Sequence, residues 1–329
     1  MAGEGIINIR KPGGMTSHDV VGRVRRIVGK KRVGHTGTLD PEAEGVLPVA
    51  IGSAARVMQF LDLDLKTYRC ELTLGRETDT EDIWGKEIRR APEEQVNRIT
   101  PEEVLRVMDG FRGVIDQVPP MYSALKVDGK RLYEYAREGK PVEVKSRRIC
   151  IPEIHVEEMM LGRGTDSRIR FELTCTKGTY VRTVCHDAGA ALGVSAVMSS
   201  LTRTVSGAFR IEDAVTLEEL EAMNPEERDR VIRPPQEAMI HFGEVVFEPE
   251  YAKKLVNGLN VMERYGRITK APEYQDRDFW LPMDEAYRRM YLAFDPSRRF
   301  LGVVRADRDK KYGQVFRPVK IFLQGGYVI

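Results

Sequence analysis

Apolar residues along this chain keep helical spacing in a few stretches and alternate in others, and the two patterns divide it into elements. Val20, Val21, Val24, Ile27 and Val28 make one stripe, which predicts a helix from Thr16 or Ser17 to about Val28. Either hydroxyl can cap its first turn, Gly29 ends it, and Arg23, Arg25 and Arg26 fall mostly off the stripe. Thr100-Pro101-Glu102-Glu103 carries a cap, a first-turn proline and a glutamate three residues on, which predicts a helix to about Phe111. Ala54–Leu61 and Tyr180–Leu192 read as two more helices, the second stopped by Gly193. Gly5–Arg10, Gly45–Ile51, Tyr68–Leu74 and Ile169–Cys175 read as strands.

Residues 117–151 break this rhythm. They have few large aliphatics, many charges, Pro119-Pro120 and a short helical stretch near Arg131–Glu138, and so read as an excursion from the core. Pro234-Pro235 follows an acidic segment and marks a linker, placed at 234–247 between a first domain of residues 1–233 and a second of 248–329. The second holds a helix at Tyr251–Leu259 and short strand-like pieces at Tyr291–Phe294, Phe300–Val304 and Val315–Phe322. Arg267–Tyr287 has no place in that pattern and reads as an insertion. The class expected is α+β: a mixed, largely antiparallel sheet flanked by helices, with a small β-barrel-like module behind it. Two domains are also what a chain of 329 residues predicts.

Composition narrows the setting. No run of about eighteen apolar residues exists to span a membrane, and the N-terminus has no apolar signal region. Cys70, Cys150, Cys175 and Cys185 are scattered without a Cys-x-x-Cys pair, which fits neither zinc nor a disulfide framework and points to a reduced, cytoplasmic setting. Net charge is only +2, yet the charge is unevenly spread. Three tracts hold eight basic residues each: 10–32 with one acid, 126–148 with four, and 298–320 with two, while residues 212–229 hold eight acids. Local basic surfaces of this kind can hold phosphates.

The densest chemistry lies at Gly34-His35-Thr36-Gly37-Thr38-Leu39-Asp40-Pro41-Glu42-Ala43-Glu44-Gly45. Three glycines and a proline predict a loop on an unusual path, with Asp40 at its centre. Asp before Pro is also ordinary turn chemistry through an Asx hydrogen bond. Together with Gly5-Ile6-Ile7-Asn8-Ile9-Arg10-Lys11-Pro12, Lys66-Thr67-Tyr68, Leu74-Gly75-Arg76-Glu77-Thr78-Asp79-Thr80, Gly178-Thr179-Tyr180-Val181-Arg182 and Leu201-Thr202-Arg203, in that order, the chain resembles the TruB-type tRNA pseudouridine synthases. Asn257-Gly258, Phe300-Leu301-Gly302-Val303 and Arg317-Pro318 resemble a PUA domain, an RNA-binding module.

The resemblance implies isomerisation of uridine 55 in the T-loop of tRNA, with no metal, no cofactor and no protein partner, by a protein expected as a monomer. It makes residues 117–151 an arm that lies along the RNA. A stacked uridine must be flipped out, at a cost of a few kcal/mol, and stacking on an aromatic ring returns about 1–3 kcal/mol. By resemblance Tyr68 and Tyr180 face that base, Leu201 packs against it, His35 contacts RNA nearby, and Asp40 is the catalytic carboxylate. From the residues alone, Tyr68 in its alternating strand reads first as a core aromatic with its hydroxyl satisfied, and Leu201 reads equally well as a core leucine. Arg182 is the candidate partner of Asp40, since a guanidinium can hold a carboxylate through two hydrogen bonds and sits poorly at a helix start otherwise. His186-Asp187 lies inside a helix without companion ligands and is not read as a metal site. Other readings are a guide-RNA-dependent synthase, a non-catalytic RNA-binding or RNA-folding protein, and a hydrolase using Asp40 and His35.

Overall fold

The computed structural model of the chain describes residues 4–140 and 142–323. Its centre is a mixed sheet built from β1 (Gly5–Lys11), β2 (Glu44–Ile51), β3 (Lys66–Leu74), β4 (Glu153–Met160), β5 (Arg168–Cys175) and β6 (Ala196–Ser206). The spatial order is β4-β5-β3-β6-β2-β1, with the short strand Ile232–Arg233 on the outer edge of β1. Every pairing along this path is antiparallel except β6 with β2. Alternation explains how the central strands are covered on both faces. In β1 and β2, Ile6, Val46 and Ala50 enter one core, while Ile7, Ile9, Leu47, Val49 and Ile51 enter another.

Helix α1 (Ser17–Val28) lays Val20, Val21 and Val24 on the second of these cores. Thr16, not Ser17, is its cap, in a reciprocal box with Asp19. Helices α2 (Pro101–Asp109) and α3 (Val181–Ala191) bury Val104, Met108, Val184 and Cys185 over β3, β5 and β6. In place of the regular helix expected over Ala54–Leu61, Gly52–Phe60 is a 3₁₀ segment entered through Gly52 at φ +65°.

The arm leaves and returns through a two-stranded ribbon, Gly113–Gln117 against Arg147–Ile151. Between these strands lie a small hairpin, Lys126–Val127 with Lys130–Arg131, and a helix at Leu132–Arg137.

The C-terminal module is a six-stranded sheet. Its members are β7 (Gly243–Phe247), β8 (Gly266–Lys270), β9 (Met290–Phe294), β10 (Phe300–Asp309), β11 (Gly313–Ile321) and the short Val261–Met262, with α4 (Pro249–Val256) packed on it. The order is Val261–Met262, β11, β10, β9, β7, β8. Two expectations are corrected here. The linker does not reach residue 247, because β7 pairs with both β8 and β9; Val246 faces one core while Val245 and Phe247 face another. The insertion does not begin at Arg267, because Gly266–Lys270 is itself a strand, and the excursion from the sheet is confined to residues 271–289, between β8 and β9. The two halves also share a core: Phe60, Leu61 and Leu63 pack with Phe242, Tyr274, Leu292 and Phe294. Among the described residues no helix is long and apolar enough to cross a membrane.

The parallel meeting of β2 and β6 positions the site. Gly45 sits opposite Arg203 at φ +99°, and a Cβ there would lie 2.2 Å from the Arg203 carbonyl oxygen. Only glycine lets the strands approach so closely. That approach brings the loop before β2, which carries Asp40, against β6.

Candidate active site

Three buried side chains hold the Asp40 loop by its backbone. Lys11, fully buried at the end of β1, donates from Nζ to the carbonyls of Pro12, Pro41 and Ala43 at 2.8, 2.7 and 2.6 Å. Burial pushes its ammonium down to about 8, against the pull of Glu42, Glu44 and Asp40. Ser17 Oγ accepts from the Leu39 amide at 2.9 Å and donates to its carbonyl at 3.0 Å. Arg203 donates from Nε to Val46 O at 2.7 Å and from its two terminal nitrogens to Gly37 O and Thr38 O at 3.1 and 3.4 Å. These bonds pair backbone carbonyls that a tight loop leaves without partners of its own. The loop closes as a turn, with the Ala43 amide on Asp40 O at 3.1 Å and Pro41 in the position that favours it.

The Asp40 carboxylate turns away from its own backbone to Arg182. Arg182 Nε lies 2.9 Å from Asp40 Oδ2. The Arg182 side chain is 5% exposed and that of Asp40 41%, so a buried cation presents an open carboxylate. The rest of the guanidinium is spoken for. Nη1 donates to Thr80 O at 2.7 Å, Nη2 to Tyr122 O at 3.0 Å, and the Asp82 carboxylate stands 3.7 Å from Nη1. Asp82 is itself fixed by Thr80 Oγ1 at 2.7 Å and the Trp84 amide at 3.2 Å. Burial raises the Asp82 carboxyl above its ordinary value, with Thr80 and Arg182 opposing.

The other expected residues converge on this loop to different degrees. Tyr68 stands across from Arg203 in the β3–β6 register and shares a core with Leu39 and Leu201. Both Tyr68 and Leu201 are nearly buried, at 8% and 7% exposure, so each offers the open site only a small edge. Burial pushes the Tyr68 phenol up, against the charge of Arg203. His35 is half-buried at the start of the loop, where burial, Arg203 and His18 push its imidazole below the ordinary value. Its Nδ1 is buried with no hydrogen-bond partner among the described residues. Tyr180 caps α3, half-buried, and its backbone is gripped from both sides by the Gln117 amide at 2.8 and 3.0 Å.

Sequence reasoning passes over Gln117, Asp82 and the work of Lys11 and Arg203. Lys11 and Arg203 stand within the motifs named above, but nothing beside them in their strands marks either as buried. Gln117 and Tyr122 also tie the arm to the site, since both lie on it or at its root. The arm's aromatics are backed by cations: Arg131 and Arg137 lie 5.8 and 5.3 Å from the Tyr133 ring centre, and Lys130 lies 5.0 Å from that of Tyr135.

Behind Arg182, on the next turn of α3, His186 faces acids. Its Nδ1 is 3.1 Å from Asp187 and its Nε2 is 3.6 Å from Glu77. The hydrogen bond to Asp187, with the charges of Glu81, Asp187 and Glu77, outweighs burial and raises His186 to about 9. Because the folded value exceeds the ordinary 6.5, this pairing stabilises fully below that pH and is lost as pH rises through about 9. With a third of the side chain exposed, the contribution is about 1–2 kcal/mol after solvent screening. Replacing His186 with Gln should flatten the dependence of melting temperature on pH across that window; an unchanged slope would refute the assignment.

Comparisons with known proteins agree on one family. Residues 25–181 match the TruB family pseudouridylate synthase N-terminal domain, and residues 182–240 match the tRNA pseudouridylate synthase B C-terminal domain. The tRNA pseudouridine synthase B of Alkaliphilus oremlandii is 44% identical over 261 residues, spanning 79% of this chain and 84% of that protein. That of Geobacillus kaustophilus is 45% identical over 257 residues, spanning 78% and 90%. Among solved structures, a Cbf5-Nop10-Gar1 complex contains a chain that superposes with a TM-score of 0.69 at 27% identity, covering 97% of this chain and 85% of that one.

Proposed function

Because the chain belongs to the TruB family of pseudouridylate synthases and is a tRNA pseudouridine synthase, we propose that its target is uridine 55 in the T-loop and that Asp40 is the catalytic residue. One observation carries the assignment: an exposed Asp40 carboxylate held at 2.9 Å by a guanidinium that is itself buried. A merely structural ion pair at the surface gains little from such a mount.

The reaction breaks the bond from sugar carbon 1′ to uracil N1 and forms one to carbon 5, whose hydrogen leaves as a proton while N1 gains one. The base must be out of its stack and free to turn. Tyr180 and the exposed edge of Tyr68 flank the flipped uracil, and Leu201 closes the apolar side. Half-buried His35 contacts the RNA beside the flipped base, and Arg182 fixes Asp40 toward the sugar. The arm, with its cation-backed tyrosines, and the C-terminal module, taken as PUA-like, follow the phosphates of the T-arm. In this reading the protein acts in the cytoplasm, as a monomer, on tRNA alone.

The similarity to a chain from a Cbf5-Nop10-Gar1 complex supports a second reading, a synthase that needs partner proteins and a guide RNA. One assay separates the two. Purified protein is given a tRNA transcript tritiated at uracil carbon 5, without other RNA or protein, and a matched transcript with cytidine at position 55. The expected result is up to one tritium more released from the first transcript than from the second. Equal release from both would move the target elsewhere, and silence from protein that binds tRNA would favour the guided reading.

A further inference from the structure

We propose that Glu81 is a positioning residue for the reaction, acting through its tether to Thr183 to fix the turn that holds Arg182 against Asp40. The inference rests on the roles given to Arg182 and Asp40 above.

Residues 80–82 grip Arg182 from two points, the Thr80 carbonyl at 2.7 Å and the Asp82 carboxylate at 3.7 Å. Glu81 stands between them at φ +64°. In that left-handed region a Cβ crowds the backbone, and glycine is the residue that enters it freely. Other residues persist there where their surroundings over-determine the conformation.

The surroundings of Glu81 do so. Thr183 Oγ1 donates to Glu81 Oε2 at 2.7 Å, and Thr183 is the residue after Arg182 on α3, buried at 3% exposure. The Glu81 carbonyl accepts from the Met198 amide at 3.1 Å, and the Ile83 amide returns a bond to Met198 O at 2.9 Å, so the turn is also clipped to β6. The carboxylate thus closes a ring: Arg182 holds residues 80 and 82, and residue 81 holds the neighbour of Arg182. For the backbone alone glycine would serve better; only a side chain with an acceptor of this length completes the ring.

The test uses the full-length protein and tRNA, with single-turnover isomerisation, tRNA affinity and melting temperature measured on Glu81→Gly, Glu81→Gln and Thr183→Val. Glu81→Gly relaxes the backbone while cutting the tether. It should slow the chemical step about tenfold to a hundredfold, as a misplaced catalytic group does, with tRNA affinity within about twofold and a melting temperature little changed, since the relaxed backbone offsets the lost hydrogen bond. Glu81→Gln, whose amide oxygen can still accept from Thr183, should restore most of the rate. Thr183→Val should match Glu81→Gly, and the pair should be no slower than either alone. A full rate in Glu81→Gly overturns the proposal, as does a loss that Gln does not restore or that only follows a lower melting temperature. Should Arg182 variants lose the reaction while Glu81→Gly keeps it, the site stands and this inference falls. A wild type that is inactive on tRNA would overturn the site assignment itself.

Discussion

Asp40→Asn should bind tRNA as the wild type does and release no measurable tritium from uracil carbon 5. The amide keeps the shape of the carboxylate and can still turn an oxygen toward Arg182 Nε, so the loop has no reason to move. Its other supports, Lys11, Ser17 and Arg203, grip backbone and do not depend on residue 40. What is lost is the charge and the ionised oxygen on which the proposed chemistry depends. Turnover should fall by roughly four to six orders of magnitude, the range seen on removal of an essential catalytic group. Affinity should hold or rise, because a carboxylate 41% exposed on a surface proposed to meet RNA phosphates repels them. Stability should shift by less than about 1 kcal/mol, since the pair is half-solvated. Gel-shift and tritium-release measurements on one preparation decide the matter. Turnover within tenfold of wild type, or lost binding by folded protein, would remove Asp40 from the chemistry.

The parts of this site that are legible in the sequence are those whose signal is local. A loop broken by three glycines and a proline announces itself, and so does an arginine set at a helix start where the dipole disfavours it. The Thr100 helix start and the alternating strands are readable for the same reason. What the sequence hides depends on reach. Nothing near Lys11 says that its amine travels to Pro41 and Ala43, some thirty residues on. Nothing near Gln117 says that its amide meets the backbone of Tyr180. The basic tracts mislead for a related reason. Arg23 on α1 is paired with Glu218 and Glu221 of the acidic segment, at 2.8 and 2.7 Å. Within the C-terminal tract, Asp307 lies 2.8 Å from Arg305 and 3.6 Å from Arg317. Those cations are partly neutralised before RNA arrives, which a residue count cannot register. β7 reads as linker because it comes after two prolines, although its run of valines and phenylalanine carries the usual strand signal.

Arg182→Lys should keep the fold and lose the reaction. Lysine preserves the charge but offers one compact ammonium where the guanidinium sends fixed donors in several directions. Arg182 uses that spread: Nε toward Asp40, Nη1 toward Thr80 O, Nη2 toward Tyr122 O, with Asp82 beside Nη1. An ammonium that satisfies the two carbonyls and Asp82 in the buried half no longer fixes Asp40 in the open half. Asp40 would keep its charge in water and lose its aim, so the chemical step should slow about a hundredfold or more, while tRNA affinity changes little. Arg182→Met is a different experiment. It leaves the half-buried Asp82 without its countercharge and two carbonyls without a donor, and breaking such a pair costs about 3–5 kcal/mol. Adding Asp82→Asn to it should return part of that stability, because the uncompensated charge is gone, and none of the activity. Urea unfolding and single-turnover rates on the four proteins separate the two roles of one guanidinium. If Arg182→Lys turned over at the wild-type rate, its hold on Asp40 would be structural only, and some other group would have to aim the carboxylate.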